Sequence, residues 1–280
     1  MGEGHDADAP RQTGFLGKPR LSHLWGSMEG TAVLERVTWR VAKVVAVHDE
    51  TATARTLALT VRDWPGQIAG QHVDVRLTAP DEYSAVRSYS IASAPNSDGR
   101  IEITVERLPN GEVSPYLTKE LMVGDDLELR GPIGGWFVWR RDQTEPIQLV
   151  AGGSGVVPLM AMIRSRASAG SSAPFRLLYS VREPGAVFYR EELQALSGQG
   201  NSVVITYAYT RMTPKDWPRP AGRIDVELIA TGTWPSNLRP TSYVCGPTSF
   251  VEHATDLLIA AGQDRERIRT ERFGATGERK

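Results

Sequence analysis

Between Arg36 and Trp139, apolar and polar residues alternate in short runs, the period-two signature of half-buried strands. The runs cover Thr38–Val47, Thr56–Val61, His72–Leu77, Ser88–Ala92, Ile101–Arg107 and Asp126–Arg130. Turn signals separate them: Trp64-Pro65-Gly66, Pro95-Asn96, Asp98-Gly99 and Pro109-Asn110-Gly111. Six short strands joined by tight turns predict a small antiparallel barrel. One helical stretch interrupts it, Ser114–Leu121, with Ser114 expected as the N-cap and Pro115 at the first helical position.

The pattern changes after the polar hinge Arg140-Arg141-Asp142-Gln143-Thr144-Glu145-Pro146. Continuous apolar runs now alternate with helical periods. Strands are expected at Ile147–Ala151, Phe175–Val181, Val203–Tyr209 and Thr241–Cys245, and helices at Val157–Ala167, Tyr189–Leu196, Asp225–Ala230 and Thr248–Ala261. In the last helix Phe250, Val251, Ala254, Leu257, Leu258 and Ala261 fall on one face, and Gly262 closes it. Strand–helix alternation of this kind implies a mostly parallel sheet covered on both sides. The expected fold is therefore a β barrel followed by a Rossmann-like α/β layer. Its divisions are a flexible tail over residues 1–35, the barrel over 36–140 and a nucleotide-binding-type domain over 141–280.

Charge and cysteine content narrow the chemistry. With 32 basic and 33 acidic residues the net charge is −1, which argues against nucleic acid or an anionic membrane as the main partner. The single cysteine, Cys245, cannot make an internal disulfide, a four-cysteine zinc site or a cysteine-ligated iron–sulfur cluster. No metal site is expected. Residues 1–30 hold no continuous apolar stretch of signal-peptide or membrane-spanning length, so a cytoplasmic protein is expected. The segment reads as an unstructured extension or an over-called start before Met28, with a docking stripe of Phe15, Leu16, Leu21, Leu24 and Trp25 as the alternative.

Two segments carry candidate binding chemistry. Ala151-Gly152-Gly153-Ser154-Gly155-Val156-Val157-Pro158 joins an apolar strand to a helix. Its glycines permit a tight turn and close backbone approach, and the helix start offers free N–H groups to a pyrophosphate. Pro158 stands where the dinucleotide fingerprint has its third glycine, and no lysine follows, which excludes an NTPase P-loop. A ligand-free βα turn would read the same way. Arg87-Ser88-Tyr89-Ser90 places a fixed cation, a planar aromatic and two hydroxyls on one strand, suited to a phosphate, a flat ring and a ring nitrogen. Alone, it also fits an ordinary alternating strand.

Taken in order, Arg87–Ser90, Gly111-Glu112-Val113-Ser114, Gly131-Pro132-Ile133-Gly134-Gly135-Trp136-Phe137, the Gly152–Pro158 turn and Cys245-Gly246-Pro247 resemble the ferredoxin–NADP reductase family. The resemblance spans Arg36 to Phe273. It implies an FAD-binding barrel followed by an NAD(P)-binding domain. In that family Arg87 would contact the flavin phosphates, Tyr89 would pack on the isoalloxazine, and Ser90 would hydrogen-bond near flavin N5, with Ser88 beside them. Gly111, Glu112, Val113 and Ser114 would form the pyrophosphate segment, which favours FAD over FMN. Gly153, Gly155 and Pro158 would hold the pyridine nucleotide, and Cys245, Gly246 and Pro247 would lie beside the nicotinamide. Cys245 reads equally as a buried small hydrophobe. Glu271 and Phe273 match a terminal acid and aromatic that close over the flavin, although seven residues follow Phe273 here, and a packed terminal role fits that ring too.

Arg182 and Arg211 follow two successive strands and could bind a 2′-phosphate, which favours NADPH. Glu183 beside them could accept from a 2′-hydroxyl, the NADH feature. The implied activity is hydride transfer from NAD(P)H to FAD, with Ser90, Cys245 and Glu271 nearest the reacting atoms. Electrons would pass to a separate redox protein such as ferredoxin, flavodoxin or a partner oxidoreductase. The alternatives are a reductase of free flavin or ferric chelates, and a non-turnover flavin-binding subunit of a larger complex.

Overall fold

A computed structural model describes residues 38–78, 83–198 and 203–273. The tail and its apolar stripe lie outside the described residues. The first sheet is antiparallel and contains β1 (Trp39–Thr51), β2 (Ala54–Val61), β3 (His72–Thr78), β4 (Ser84–Ser90), β5 (Arg100–Glu106) and β6 (Asp126–Ile133), in the order β4-β3-β6-β1-β2-β5. A bridge from Ile91 to Ile103 and the bond from Ala92 N–H to Glu102 O (2.7 Å) join its two ends into a barrel. Alternation fills the inside. Val44, Leu57, Leu59, Val73, Val75, Ile101, Ile103 and Leu129 are buried together, while Val41, Val45 and Val47 of β1 face outward.

The second sheet is parallel. Its strands are β7 (Ile147–Gly152), β8 (Phe175–Val181), β9 (Val203–Tyr209), β10 (Thr241–Pro247) and β11 (Ile268–Phe273), in the order β11-β10-β7-β8-β9. Every residue of β7 is buried, as expected for a central strand with helices on both faces. Helices α2 (Val156–Ser168) and α3 (Arg190–Gly198) lie against one face, and α4 (Val226–Gly232) and α5 (Thr248–Ala260) against the other. The core under α2 also takes in Ala69, Ala92, Phe137 and Trp139 from the barrel, so apolar packing is continuous across the seam. No helix among the described residues is long and apolar enough to cross a membrane.

The six-stranded antiparallel sheet and the parallel α/β layer match the expected fold. Three details differ. β4 begins at Ser84, because pairing with β3 runs from Thr78↔Ser84 to His72↔Ser90 although most of the outward residues are polar. β11 was not foreseen: Ile268-Arg269-Thr270-Glu271-Arg272-Phe273 is an edge strand paired only with β10, so charged side chains are tolerated along it. Ser114 does not cap α1 (Ser114–Lys119). It is the first helical residue, and its buried Oγ accepts from the N–H of Leu108 at 3.0 Å.

Candidate functional site

In the parallel sheet the chain leaves β7 toward β8 and β9, then returns to the other side of β7 for β10 and β11. The crevice between the carboxyl ends of β7 and β10 is the topological switch point, where open α/β sheets bind ligands. Two of the sequence motifs end there. β7 leads into a single 3-10 turn, Gly153–Gly155, and then into α2, while β10 ends at Cys245-Gly246-Pro247.

The glycines of this turn serve different ends. A Cβ on Gly155 would stand 2.1 Å from the carbonyl oxygen of Cys245, so only glycine lets the turn and β10 approach so closely. Gly153 has φ +55°, a left-handed conformation that disfavours side chains, and a Cβ there would meet nothing within 4 Å. No side chain caps α2, and its first amide, the Val156 N–H, donates to the carbonyls of Gly153 and Ser154 in the preceding turn. Pro158, buried in its first turn, has no N–H to satisfy.

Beside this crevice the barrel contributes the end of β4. Ser90 Oγ donates to Glu271 Oε1 at 3.4 Å, and Glu271 pairs in parallel register with Cys245. All three expected catalytic residues thus come together from β4, β10 and β11. Burial pushes the Glu271 carboxyl up to about 7, with the Ser90 hydrogen bond opposing it. Burial, then the neighbouring Glu271, also raises the Cys245 thiol well above its usual range, which keeps it protonated and unsuited to nucleophilic attack. Phe273, at the end of β11, is 36% exposed.

Ser88 and Arg87 of β4 carry polar contacts. Ser88 Oγ donates to Asp74 Oδ1 at 2.6 Å, and Arg130 Nε holds the other carboxylate oxygen at 2.9 Å. Tyr89 packs partly against the barrel core, and burial raises its phenol to about 12. Arg87 Nη2 donates to Glu112 Oε2 at 2.7 Å, which joins Arg87 to the Gly111–Ser114 segment. Within that segment the Val113 and Ser114 side chains are buried, so only its backbone and Glu112 can face a ligand.

Arg182 and Arg211 follow β8 and β9, and Arg211 N–H donates to Arg182 O at 2.9 Å. Both side chains are exposed, and neither guanidinium has an ion-pair partner among the described residues. They stand on the β8–β9 side of the switch point, away from the Ser90–Glu271–Cys245 group. Among the described residues no three His, Cys, Asp or Glu side chains are arranged to hold a metal.

Sequence reasoning missed Asp74 and Arg130, which fix Ser88. A carboxylate between the two buried valines Val73 and Val75 was the available signal. It also missed Arg164 and Tyr189, which join the two sheets and carry no motif.

Comparison with known proteins agrees with the fold. The family model described as an oxidoreductase FAD-binding domain matches residues 40–138, and that described as an oxidoreductase NAD-binding domain matches residues 149–256. The reductase component of propane 2-monooxygenase from Rhodococcus jostii is 29% identical over 209 residues, which cover 73% of this chain and 55% of that protein. The ferredoxin–NAD(P)(+) reductase component of the naphthalene 1,2-dioxygenase/salicylate 5-hydroxylase systems of a Ralstonia species is 30% identical over 217 residues, covering 78% and 63%. The FAD/NAD-binding domain of a nitric oxide dioxygenase from Vibrio cholerae superposes with a TM-score of 0.74 at 26% identity, covering 85% of this chain and all of that one. The chain spans about half the length of the first curated relatives it matches. With both domain models in sequence order on a barrel and a parallel sheet, the chain belongs to the ferredoxin–NADP reductase family of FAD- and NAD(P)-binding oxidoreductases.

Proposed function

We propose that this protein oxidises a reduced pyridine nucleotide and passes its electrons, through FAD, to a separate redox protein. The observation that carries this reading is the meeting of Ser90, Glu271 and Cys245 at the switch point, where the end of the barrel strand reaches the carboxyl edge of the nucleotide sheet.

The residues present fit both groups. Gly153 leaves open space above a left-handed turn at an uncapped helix of thirteen residues, a setting for a pyrophosphate. Arg87, Tyr89 and Ser90 supply a cation, an aromatic face and a hydroxyl along one strand. When bound, FAD supplies the chemistry, accepting hydride from the nicotinamide and giving up the electrons afterwards. In this reading Arg87 binds the flavin phosphates, Tyr89 supports the ring and the hydroxyl of Ser90 reaches its reactive edge. Gly111, Glu112, Val113 and Ser114 flank the pyrophosphate through Glu112 and the backbone. Gly153, Gly155 and Pro158 shape the nucleotide's pyrophosphate site, and Gly246 and Pro247 line the nicotinamide side. Cys245 is a small neutral surface there, Glu271 holds a proton close to Ser90, and Phe273 covers the site from the end of β11.

The unpaired guanidinium groups of Arg182 and Arg211 favour NADPH, since a 2′-phosphate gives each a charge-assisted bond. The relatives named as reductase components of oxygenase systems favour a ferredoxin or a partner oxidoreductase as the acceptor. Anaerobic mixing of the flavin-loaded protein with NADPH and with NADH tests this. Bleaching of the flavin absorbance, faster with NADPH, is expected, and a flavin that neither nucleotide bleaches would refute the proposal.

A further inference from the structure

A polar network crosses the seam between the two sheets, and the reaction proposed above makes no use of it. Its centre is Arg164, on α2. The guanidinium donates to Glu102 on β5 at 2.9 Å, to Glu192 on α3 at 2.6 Å and to the carbonyl of Ala92 at 3.0 Å. Arg164 also lies 4.9 Å over the ring of Tyr189. Tyr189, immediately before α3, is 5% exposed and has φ +53°, a backbone region that bulky side chains avoid. Contacts hold it there. Its N–H donates to Glu50 on β1 at 2.9 Å, and its hydroxyl shares a short hydrogen bond with Thr104 on β5. Thr56 on β2 completes the network, 2.6 Å from Glu50 and 2.7 Å from Thr104.

This network reaches both halves of the site. Ala92 lies two residues beyond Ser90, so Arg164 grips the segment that carries the Ser90 hydroxyl. In the other direction, α2 begins at the glycine turn, whose Gly155 rests on the carbonyl of Cys245. Arg164 sits about 13 Å along the same rigid helix. One side chain therefore ties the flavin strand to the rod that seats the nucleotide turn. Three acceptors on different elements define its position, and a planar guanidinium can satisfy all three at once.

We infer that Arg164, braced by Tyr189, is a positioning residue that sets the spacing between Ser90 and the Cys245–Glu271 edge, and hence the alignment of nicotinamide with flavin. The inference rests on the hydride-transfer reading above. It predicts a particular kind of defect. Loosening the seam should leave flavin content and nucleotide affinity nearly intact and slow the step that needs the two rings in register. A misplacement near 1 Å can cost roughly a hundredfold in rate.

The test is anaerobic stopped flow on the flavin-loaded full chain, comparing wild type with Arg164→Met, Arg164→Lys and Tyr189→Phe. For Arg164→Met the limiting rate of flavin bleaching should fall at least about tenfold, with the nucleotide dissociation constant changed less than about threefold. The long-wavelength charge-transfer absorbance of stacked nicotinamide and flavin should weaken in parallel. Reduction by dithionite, which needs no ring alignment, should be unchanged. Arg164→Lys should fall between, because an ammonium cannot hold three separated acceptors. An unchanged limiting rate and charge-transfer band in folded Arg164→Met would overturn the inference. If Arg164→Met does not fold, Tyr189→Phe decides: a fall of roughly three- to tenfold with a weakened band supports it, and wild-type values for both refute it. Wild-type protein that neither nucleotide bleaches would instead sink the hydride-transfer reading itself.

Discussion

Ser90 and Glu271 are 181 residues apart in the chain, and their side-chain oxygens stand 3.4 Å apart. The pair joins the last residue of a barrel strand to the edge strand of the parallel sheet. It also places a hydroxyl, a proton-holding carboxyl and, through the β10–β11 register, a buried thiol around one small volume. A hydride-transfer site needs no acid–base dyad for that step. What it needs is a dry, neutral setting and fixed ring positions. Burial shifts the carboxyl toward neutrality and holds the thiol protonated, so the site carries less negative charge than an ordinary carboxylate and a thiolate would give it.

The Glu271 carboxyl gives a pH signature. Its proton is bound more tightly in the folded chain, near 7, than at the ordinary value of 4.5. Between those values the native state binds more protons than the unfolded one, so this group's contribution falls as pH rises. It is fully present below about 4.5 and lost above about 7. Thermal midpoints measured from pH 5 to pH 8 should therefore decline more steeply for wild type than for Glu271→Gln. Parallel curves would mean that the carboxyl is not buried as described.

Ser90→Ala removes a hydroxyl without creating a cavity of any size. Loss of one hydrogen bond near the reacting atoms should slow flavin bleaching by about tenfold. Flavin content of the purified protein should stay at the wild-type level, since Arg87 and Tyr89 remain. A wild-type bleaching rate in the Ala variant would remove Ser90 from the reaction.

How much of this was legible from sequence depended on local contrast. The spans of β8 and β9, Phe175–Val181 and Val203–Tyr209, match expectation because runs dominated by apolar residues end at turn residues. β11 was invisible, since Arg269, Glu271 and Arg272 interrupt it and only pairing with β10 makes it a strand. Ser114 carried the right residue type for a cap, but Leu108 N–H competes for its oxygen. The glycine turn and the Arg87–Ser90 motif could be read as segments. That Ser90 meets Glu271, or that Arg164 reaches Ala92, depends on how two sheets pack, and no local pattern encodes it.

Arg182 and Arg211 give a test of nucleotide choice. Each is free to form a charge-assisted bond to a 2′-phosphate, worth about 1.5–3 kcal/mol, or roughly ten- to a hundredfold in KM. Arg182→Ala and Arg211→Ala should raise KM for NADPH by that factor and leave KM for NADH within about twofold. Equal effects on both nucleotides would mean that the arginines bind the shared pyrophosphate or only stabilise the loop.

The two glycines of the turn should respond differently to one added methyl group. In Gly155→Ala the new Cβ would lie 2.1 Å from the Cys245 carbonyl oxygen, and both partners are backbone, so strand β10 or the turn must shift. Gly153→Ala meets no atom within 4 Å and bears only the strain of φ +55°, about 1–2 kcal/mol. Thermal denaturation should show Gly155→Ala as the larger loss, beyond about 2 kcal/mol, together with weakened nucleotide binding. Gly153→Ala should stay folded and lose nucleotide affinity out of proportion to its stability, because its methyl group projects into the open space above the turn. If Gly153→Ala binds NADPH as wild type does, that open space is not the nucleotide site.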